Sequence, residues 1–461
     1  MDAMNRDTAP NPDLYRARGA EYRQSNHVDV RETVCSQCGA CAAVCPKDAI
    51  RMTPNAAGVP YPEVDEGRCN LSCHLCRMVC GGNGIDWPEL HKARFGEPYS
   101  GEALGHVEGV WTGHAVDDAV RAASASGGGV TALLCHALET GLVDGACVTF
   151  LDGLAPKTVI ATTPEEIIQA GGSVYIAAPA LTVLREARRF RGRLAFAGLP
   201  CHIASLAKAA HCGLVKPDKF PLTIALVCGR TGTLDLHRAF LRRMGADPSR
   251  LAALKLRGDG WPGTFRYTMD DGTRRVFDFP HPVYMSMWKF YQHQPRYCLL
   301  CADPLGNLAD ITAGDAWLPE YGADRHGRSM LIARTPAGME LLGSALRSGR
   351  VVMDPLAPER VRAAQRQQIY SKITNQRIMR RVLGIAAALG RWPMPQDAGT
   401  EHWPAGRPAG FVYALFQVVN ALASEFPRWR WVPRLMPLET LSKLLARRRI
   451  HARAGQTRKE P

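Results

Sequence analysis

With 461 residues, 46% hydrophobic and 22% charged, the chain is long enough for two or three domains with full cores, and it carries no low-complexity block or fixed-period repeat. Its fifteen cysteines are odd in number and gather at metal-ligand spacings, which excludes a secreted disulfide scaffold and points to a reducing, cytoplasmic interior. The net charge of +14 is concentrated at one end: from Ser371 to Pro461 there are 16 Lys and Arg against 5 Asp and Glu, so the rest is near neutral and no nucleic-acid-binding body is expected.

The first thirty residues are polar and charged, without the apolar stretch of a secretory signal. Cys35, Cys38, Cys41 and Cys45 then stand at C-x2-C-x2-C-x3-C, followed by Pro46. This is the bacterial ferredoxin run, in which three thiolates wrap one cubane and the fourth reaches the other cluster. Cys69, Cys73, Cys76 and Cys80 follow as C-x3-C-x2-C-x3-C, one residue longer at the start and with Gly81 in place of proline. The expected pairing is crossed: Cys35, Cys38 and Cys41 with Cys80, and Cys69, Cys73 and Cys76 with Cys45. A structural zinc is the alternative at the second site. His74 reads as a solvated loop residue. Residues 1–100 are thus expected to form a two-cluster 4Fe-4S module, a one-electron wire.

From about Val107 the pattern changes to alternating strands and helices, which predicts a mixed, largely parallel α/β sheet. Ser126–Leu134 opens a helical run ending near Gly141, and Gly145–Leu151 reads as a strand. Pro179 suits the first turn of a helix running to about Phe190. Leu194–Ala197 is a strand, followed by Gly198-Leu199-Pro200-Cys201 and a helix to Ala210. Leu222–Val227 is a strand ending at Cys228. Cys201 and Cys228 therefore fall at carboxyl ends of strands, the edge where open α/β sheets bind ligands. Of the cysteines outside the first module, Cys135 and Cys147 lie in apolar patterns and read as small hydrophobes, and Cys212 has no evident partner. Cys201, Cys228, Cys298 and Cys301 remain, the number for a further cubane. The spacing of Cys298 and Cys301 alone equally suits a zinc half-site or a redox pair.

Several stretches resemble the beta-subunit family of coenzyme F420-reducing hydrogenases and dehydrogenases, which also includes ferredoxin-dependent chlorophyll-pathway reductases. They are SGGGVTALLCHALETGLVDGACV (126–148), GGSVYIAAPAL (171–181), FAGLPCHIASLAKA (196–209), LVCG (226–229), RGDGWPG (257–263), YCLLCADPLGNLADITAGDAW (297–317) and SMLIARTPAGMELL (329–342). Together they span residues 107–355 in the family's order. The resemblance implies FAD in this domain with a 4Fe-4S cluster beside it, ligated by Cys201, Cys228, Cys298 and Cys301. It also implies flavin contacts at Ser126, Gly127, Gly128, Thr131, Ser173 and Tyr175, although a tight turn without a ligand equally explains the glycines. Asp303 and Asp310 either hydrogen-bond near the cluster or cap turns, and Trp261 and Trp317 either edge the flavin pocket or pack in the core. The fused N-terminal wire matches the longer members of the family and leaves F420 specificity open.

The combination has a physical logic. Iron–sulfur clusters pass single electrons, a deazaflavin or unsaturated substrate exchanges a hydride, and flavin does both. The sequence therefore predicts an iron–sulfur flavoprotein oxidoreductase working with a redox partner protein and either coenzyme F420 or another organic substrate. The rivals are a ferredoxin-dependent reductase that never meets F420, and a purely electron-transferring subunit of a complex. Residues 371–461 form a basic tail expected to be helical. Phe411–Ala423 is shorter than the roughly 20 residues of a spanning helix. Trp429, Trp431 and the basic amphipathic stretch Leu441–Arg453 suit peripheral contact with the inner membrane face, packing on the body, or an acidic partner.

Overall fold

A computed structural model of the chain describes Val28 and residues 34–55, 58–70, 72–289 and 294–374. The features expected at Phe411–Ala423, Trp429, Trp431 and Leu441–Arg453 lie outside the described residues. Among the described residues no helix is long and apolar enough to cross a membrane.

The N-terminal part is a small antiparallel hairpin, β1 (Ile50–Pro54) and β2 (Pro60–Val64), flanked by the short helices Ala40–Val44 and Leu75–Met78. The body is an eight-stranded sheet. Its strands are β3 (Gly109–Ala115), β4 (Gly145–Asp152), β5 (Ala155–Ala161), β6 (Leu194–Gly198), β7 (Leu222–Leu226), β11 (Ile311–Asp315), β12 (Ser329–Ala333) and β13 (Val351–Pro355). Between β7 and β11 the chain builds a separate three-stranded antiparallel sheet of β8 (Leu251–Gly258), β9 (Thr264–Met269) and β10 (Arg274–Asp278). This second sheet, packed on the helix Leu234–Arg243 through Phe240, Leu256, Phe265 and Tyr267, was not expected from the sequence.

The order across the large sheet is β13-β3-β12-β11-β7-β6-β4-β5. Only β11, β7, β6 and β4 run parallel to their neighbours in that central group; the other pairings are antiparallel. The sheet is mixed, as expected, and its parallel pairings are confined to this central group. The apolar rhythm of 145–228 does give parallel strands, because both faces of β6 and β7 are covered and their residues read as continuous apolar runs. At one flank, β5 returns directly from β4 through a turn at Gly153, whose φ of 57° suits glycine, and so short a link forces antiparallel pairing.

Helices Gly129–Glu139 and Pro336–Arg347 cover one face, burying Leu133, Leu134, Leu341 and Leu342 against the sheet. The other face is covered by the helix Pro200–His211 together with the N-terminal module. Ala40, Ala43, Val44, Val79, Trp87 and Leu90 share one core with Phe196, Ile203 and Leu206. Polar stitches reinforce the junction: the Leu181 amide donates to the Cys38 carbonyl (2.8 Å), and the Arg185 guanidinium to the Ala42 carbonyl (2.7 Å). The helix expected from Pro179 opens as a 3-10 turn, Ala180–Val183, followed by one helical turn, Leu184–Ala187. Helical bonds continue to the Phe190 amide, which donates to the Glu186 carbonyl at 3.0 Å.

Candidate functional site

The cysteine loop of the N-terminal module is built on left-handed backbone at Gln37 (φ 59°) and Gly39 (φ 83°). A Cβ at Gly39 would lie 2.7 Å from the Thr182 methyl, so glycine lets this loop sit against the sheet domain. Cys41 faces the thiols of Cys80, Cys35, Cys38 and Cys76; burial first, then these neighbours, push its thiol well above the usual cysteine range. Cys35 is raised by burial and then by Cys80 and Cys38. Cys69 is raised by burial and then by Cys45 and Cys73, and burial with Cys73 and Cys80 nearby pushes Cys76 up to about 11. The structure thus places Cys80 near Cys35 and Cys41, and Cys45 near Cys69. The amides of Gln37 and Ala49 donate to the Cys35 and Cys45 sulfurs, each at 3.3 Å. His74 is exposed at the start of its helix. Gly81 has a structural reason: a Cβ there would meet the Ser205 hydroxyl at 2.7 Å, leaving no room for the proline ring usual at this position.

A third group lies over the carboxyl ends of the parallel strands. Cys201 enters from the β6 turn at the start of the helix Pro200–His211, where Pro200 suits the first turn. Cys228 stands two residues beyond β7, its amide held by the Pro304 carbonyl at 2.9 Å. Cys298 and Cys301 come from the one-turn helix Arg296–Leu300. All four line one small cavity, partly open to solvent, with Asp303 and Lys372. Burial, then Cys301, Cys228 and Cys298, raise Cys201 well above the usual range; burial pushes Cys228 up to about 12 against the opposing charge of Lys372. Ser36 and Gln37 line the same cavity, so the loop between Cys35 and Cys38 forms the wall between the first group and the third.

Four thiols crowded away from water are a poor arrangement for free thiolates, and a bound metal's positive charge reverses that balance. This donor set fits iron–sulfur clusters. Among the described residues no group of three or more His, Cys, Asp or Glu could hold a single metal ion, whereas a four-iron core spreads its thiolates around a larger cage. The remaining cysteines behave otherwise. Cys135 and Cys147 are buried in a helix and a strand, and the Cys212 thiol lies 3.9 Å from the Met78 carbonyl.

Asp303 and Asp310 separate in role. The Asp303 carboxylate accepts the amides of Leu305, Gly306 and Asn307 (2.7–3.1 Å), fixing the chain after the cysteine pair at the cavity wall. Asp310 accepts from the Thr223 amide and hydroxyl, from Arg94 and from the Thr335 hydroxyl, all at 2.7–2.8 Å. It pins the helix Trp87–Phe95 to the sheet.

The residues expected at a flavin lie along the same edge of the sheet. The Ser126 hydroxyl donates to the Arg328 carbonyl (2.9 Å), the Gly127 amide to the His326 carbonyl (3.0 Å) and the Gly128 amide to the Ser126 carbonyl (2.8 Å). A Cβ at Gly127 would lie 2.7 Å from the Ser329 amide, so close packing already requires that glycine. Thr131 begins the helix behind this turn and faces Gly171. Ser173 lines a polar cleft of about 250 Å³, open to solvent, with Gly172, Lys255 and Arg266. Tyr175 adopts φ 51°, uncommon for an aromatic residue, and its ring stacks parallel to Phe279.

Two residues not singled out in the sequence complete this region. Arg257, 3% exposed, is forked on Asp315 at the carboxyl end of β11, donates to the Tyr175 hydroxyl at 3.3 Å, and lies over the rings of Phe279 and Trp317. The Trp261 indole also donates to Asp315 (3.0 Å), and the two tryptophan rings lie 4.7 Å apart. Both residues lie within recognisable stretches, RGDGWPG and ITAGDAW, but their pairing across 58 positions has no local signature.

The fold and the cysteine groups define an iron–sulfur oxidoreductase. Residues 110–185 and 191–359 match the N-terminal and C-terminal parts of the coenzyme F420 hydrogenase/dehydrogenase beta subunit, and residues 34–82 match a 4Fe-4S dicluster domain. The chain belongs to the coenzyme F420 hydrogenase/dehydrogenase beta-subunit family. It is 24% identical over 262 residues to the coenzyme F420 hydrogenase subunit beta of Methanothermobacter thermautotrophicus, covering 55% of this chain and 86% of that one. It is 25% identical to a subunit of the F(420)H(2) dehydrogenase of Methanosarcina mazei, covering 71% and 86%. It is 24% identical to the coenzyme F420-dependent sulfite reductase of Methanocaldococcus jannaschii, covering 70% of this chain but 47% of that protein. A chain of the F420-reducing [NiFe] hydrogenase complex from Methanosarcina barkeri shares the fold at a TM-score of 0.50 and 22% identity, covering 64% and 98%.

Proposed function

We propose that the chain is a cytoplasmic iron–sulfur flavoprotein that carries single electrons between a redox partner protein and FAD, which exchanges a hydride with coenzyme F420 or another organic substrate. The observation that carries the reading is the succession of three cysteine groups ending at the carboxyl edge of the sheet, beside the Arg257–Asp315 pair. The residues divide the work. Cys69, Cys73, Cys76 and Cys45 would hold the outer cluster, Cys35, Cys38, Cys41 and Cys80 the inner one, and Cys201, Cys228, Cys298 and Cys301 the one nearest the flavin. Ser126, Gly127, Gly128, Thr131, Ser173 and Tyr175 would contact FAD, with Lys255 and Arg266 offering positive charge toward its diphosphate. The clusters supply one-electron transfer, and FAD supplies the conversion between single electrons and hydride. The protein's own part is positioning: Asp303 fixes the turn after Cys301, and Asp315 aims Arg257 between two rings. The packed module on the face of the sheet keeps water from the inner cysteines.

Relatives named for F420 chemistry support F420 as the hydride partner. The test is to reduce the full, anaerobically purified chain with dithionite, remove the excess, and add F420. Loss of the oxidised F420 absorbance, one equivalent per two electrons stored, is expected. Reduction of an organic acceptor but not F420 would move the reading to the ferredoxin-dependent reductases. Reduction of neither would leave a purely electron-transferring subunit.

A further inference from the structure

Lys372 lies beyond the family match, which ends at residue 359, in a single π-helical turn, Tyr370–Thr374. Such turns are rare and gather at functional positions. The segment leading to it crosses the carboxyl edge of the sheet: the side-chain amide of Gln365, itself 1% exposed, donates to the Asp315 backbone carbonyl. Two turns later Lys372 is 3% exposed and lines the cavity of Cys201, Cys228, Cys298 and Cys301. The acidic group in the same wall, Asp303, is occupied by three backbone amides. Lys208, the buried lysine on the helix Pro200–His211, differs: its ammonium bonds the backbone carbonyls of Cys80 and Gly84 at 3.0 and 2.7 Å, a structural tie.

A lysine does not reach a sulfur-lined cavity without cost; an ammonium desolvated there is stabilised by negative charge. We propose that Lys372 is a positioning residue for electron transfer, a fixed positive charge that raises the reduction potential of the cluster held by Cys201, Cys228, Cys298 and Cys301. The inference rests on the third cluster of the proposed function. Lys372 stabilises the form that has gained one electron from the N-terminal wire. The electron comes from that wire, so the step needs no other reactant. Potentials of such clusters respond to local charge and to hydrogen bonds at sulfur. The segment after the family domain thus makes the terminal cluster a better acceptor from the wire.

The test is an EPR-monitored redox titration of the full, anaerobically purified chain as wild type, Lys372→Met and Lys372→Arg, using Cys298→Ser to identify the third cluster's signal. In Lys372→Met that signal is expected to move negative by about 59 mV or more, a tenfold loss in the one-electron reduction constant. The other two signals, iron and acid-labile sulfide should hold at wild-type values. Lys372→Arg, which keeps the charge, should hold the wild-type midpoint. An unmoved midpoint in Lys372→Met overturns the proposal. So does loss of about four irons in both variants, which makes the lysine a requirement for assembly. If only Lys372→Met loses iron, an unmoved midpoint in Lys372→Arg supports the charge and a shifted one rejects it. A wild-type chain with about eight irons removes the third cluster itself, a failure distinct from the failure of Lys372.

Discussion

Cys298 and Cys301 show what spacing alone leaves open. A CxxC pair fits a zinc half-site, a redox pair or half of a cubane, and its two further neighbours lie 70 or more residues away in the chain. The fold supplies them at the ends of β6 and β7. Changing Cys298 to Ser is expected to remove about four irons per chain and to stop flavin reduction by a reduced ferredoxin, whereas Cys212→Ser, whose hydroxyl can keep the bond to the Met78 carbonyl, should leave iron and activity at wild-type levels. Unchanged iron in Cys298→Ser would reject the ligand assignment. Asp315 gives a second prediction at this scale. Asp315→Ala strands Arg257 as a buried unpaired cation, a loss of about 3–5 kcal/mol. Bound flavin should fall at least tenfold while iron stays. A flavin content still at one per chain would place the flavin elsewhere. The eight N-terminal cysteines were legible because their spacing is local, whereas Cys201 and Cys228 were joined to the later pair only through the family resemblance. Arg257, Asp315 and Lys372 were not legible, since an arginine, an aspartate and a lysine carry no signature until the sheet edge assembles them.

Elements explain where the sequence reading succeeded and where it slipped. The strands at 145–151, 194–197 and 222–227 were legible as apolar runs because parallel strands covered on both faces lack the alternation of exposed ones. Direction is not written in such runs, and the antiparallel flanks emerged only from turns and register. The helix expected after Pro179 is present but opens as a 3-10 turn, whose Leu181 amide, unpartnered within the helix, serves the Cys38 carbonyl. The helix Pro200–His211 links two groups: Cys201 lies in its first turn, and three residues apart Ser205 faces Gly81 and Lys208 holds the Cys80 carbonyl. Gly82 tests this junction, since a Cβ there would lie 2.2 Å from the Val34 carbonyl. Gly82→Ala must push the Val34–Cys35 backbone away and is expected to cost about four irons per chain through loss of the inner cluster. Full iron in that variant would show the loop to be adaptable.

In the whole molecule, the N-terminal module and the sheet domain share a hydrophobic core, which the domain-by-domain sequence reading did not foresee. Trp87 and Leu90 are apolar positions of an ordinary helix until Phe196 and Leu206 appear opposite them. Asp310 fastens the same junction with polar bonds to Thr223, Arg94 and Thr335. Asp310→Ala is expected to destabilise the whole chain by about 3 kcal/mol, seen as a lower urea midpoint in one cooperative transition. Iron content and redox midpoints should be unaffected. Separate unfolding of the module would contradict the shared core. On the proposed function, a module packed this way would order the wire from the half-buried Cys69 and Cys73, through the inner group, to the cavity behind Ser36 and Gln37. The most direct measurement is iron and flavin per chain on anaerobically purified protein. Twelve ligand cysteines at four per cubane predict about twelve irons with one FAD. About eight irons with FAD present would contradict the account, leaving Cys201, Cys228, Cys298 and Cys301 without a cluster and the flavin without its nearest electron donor.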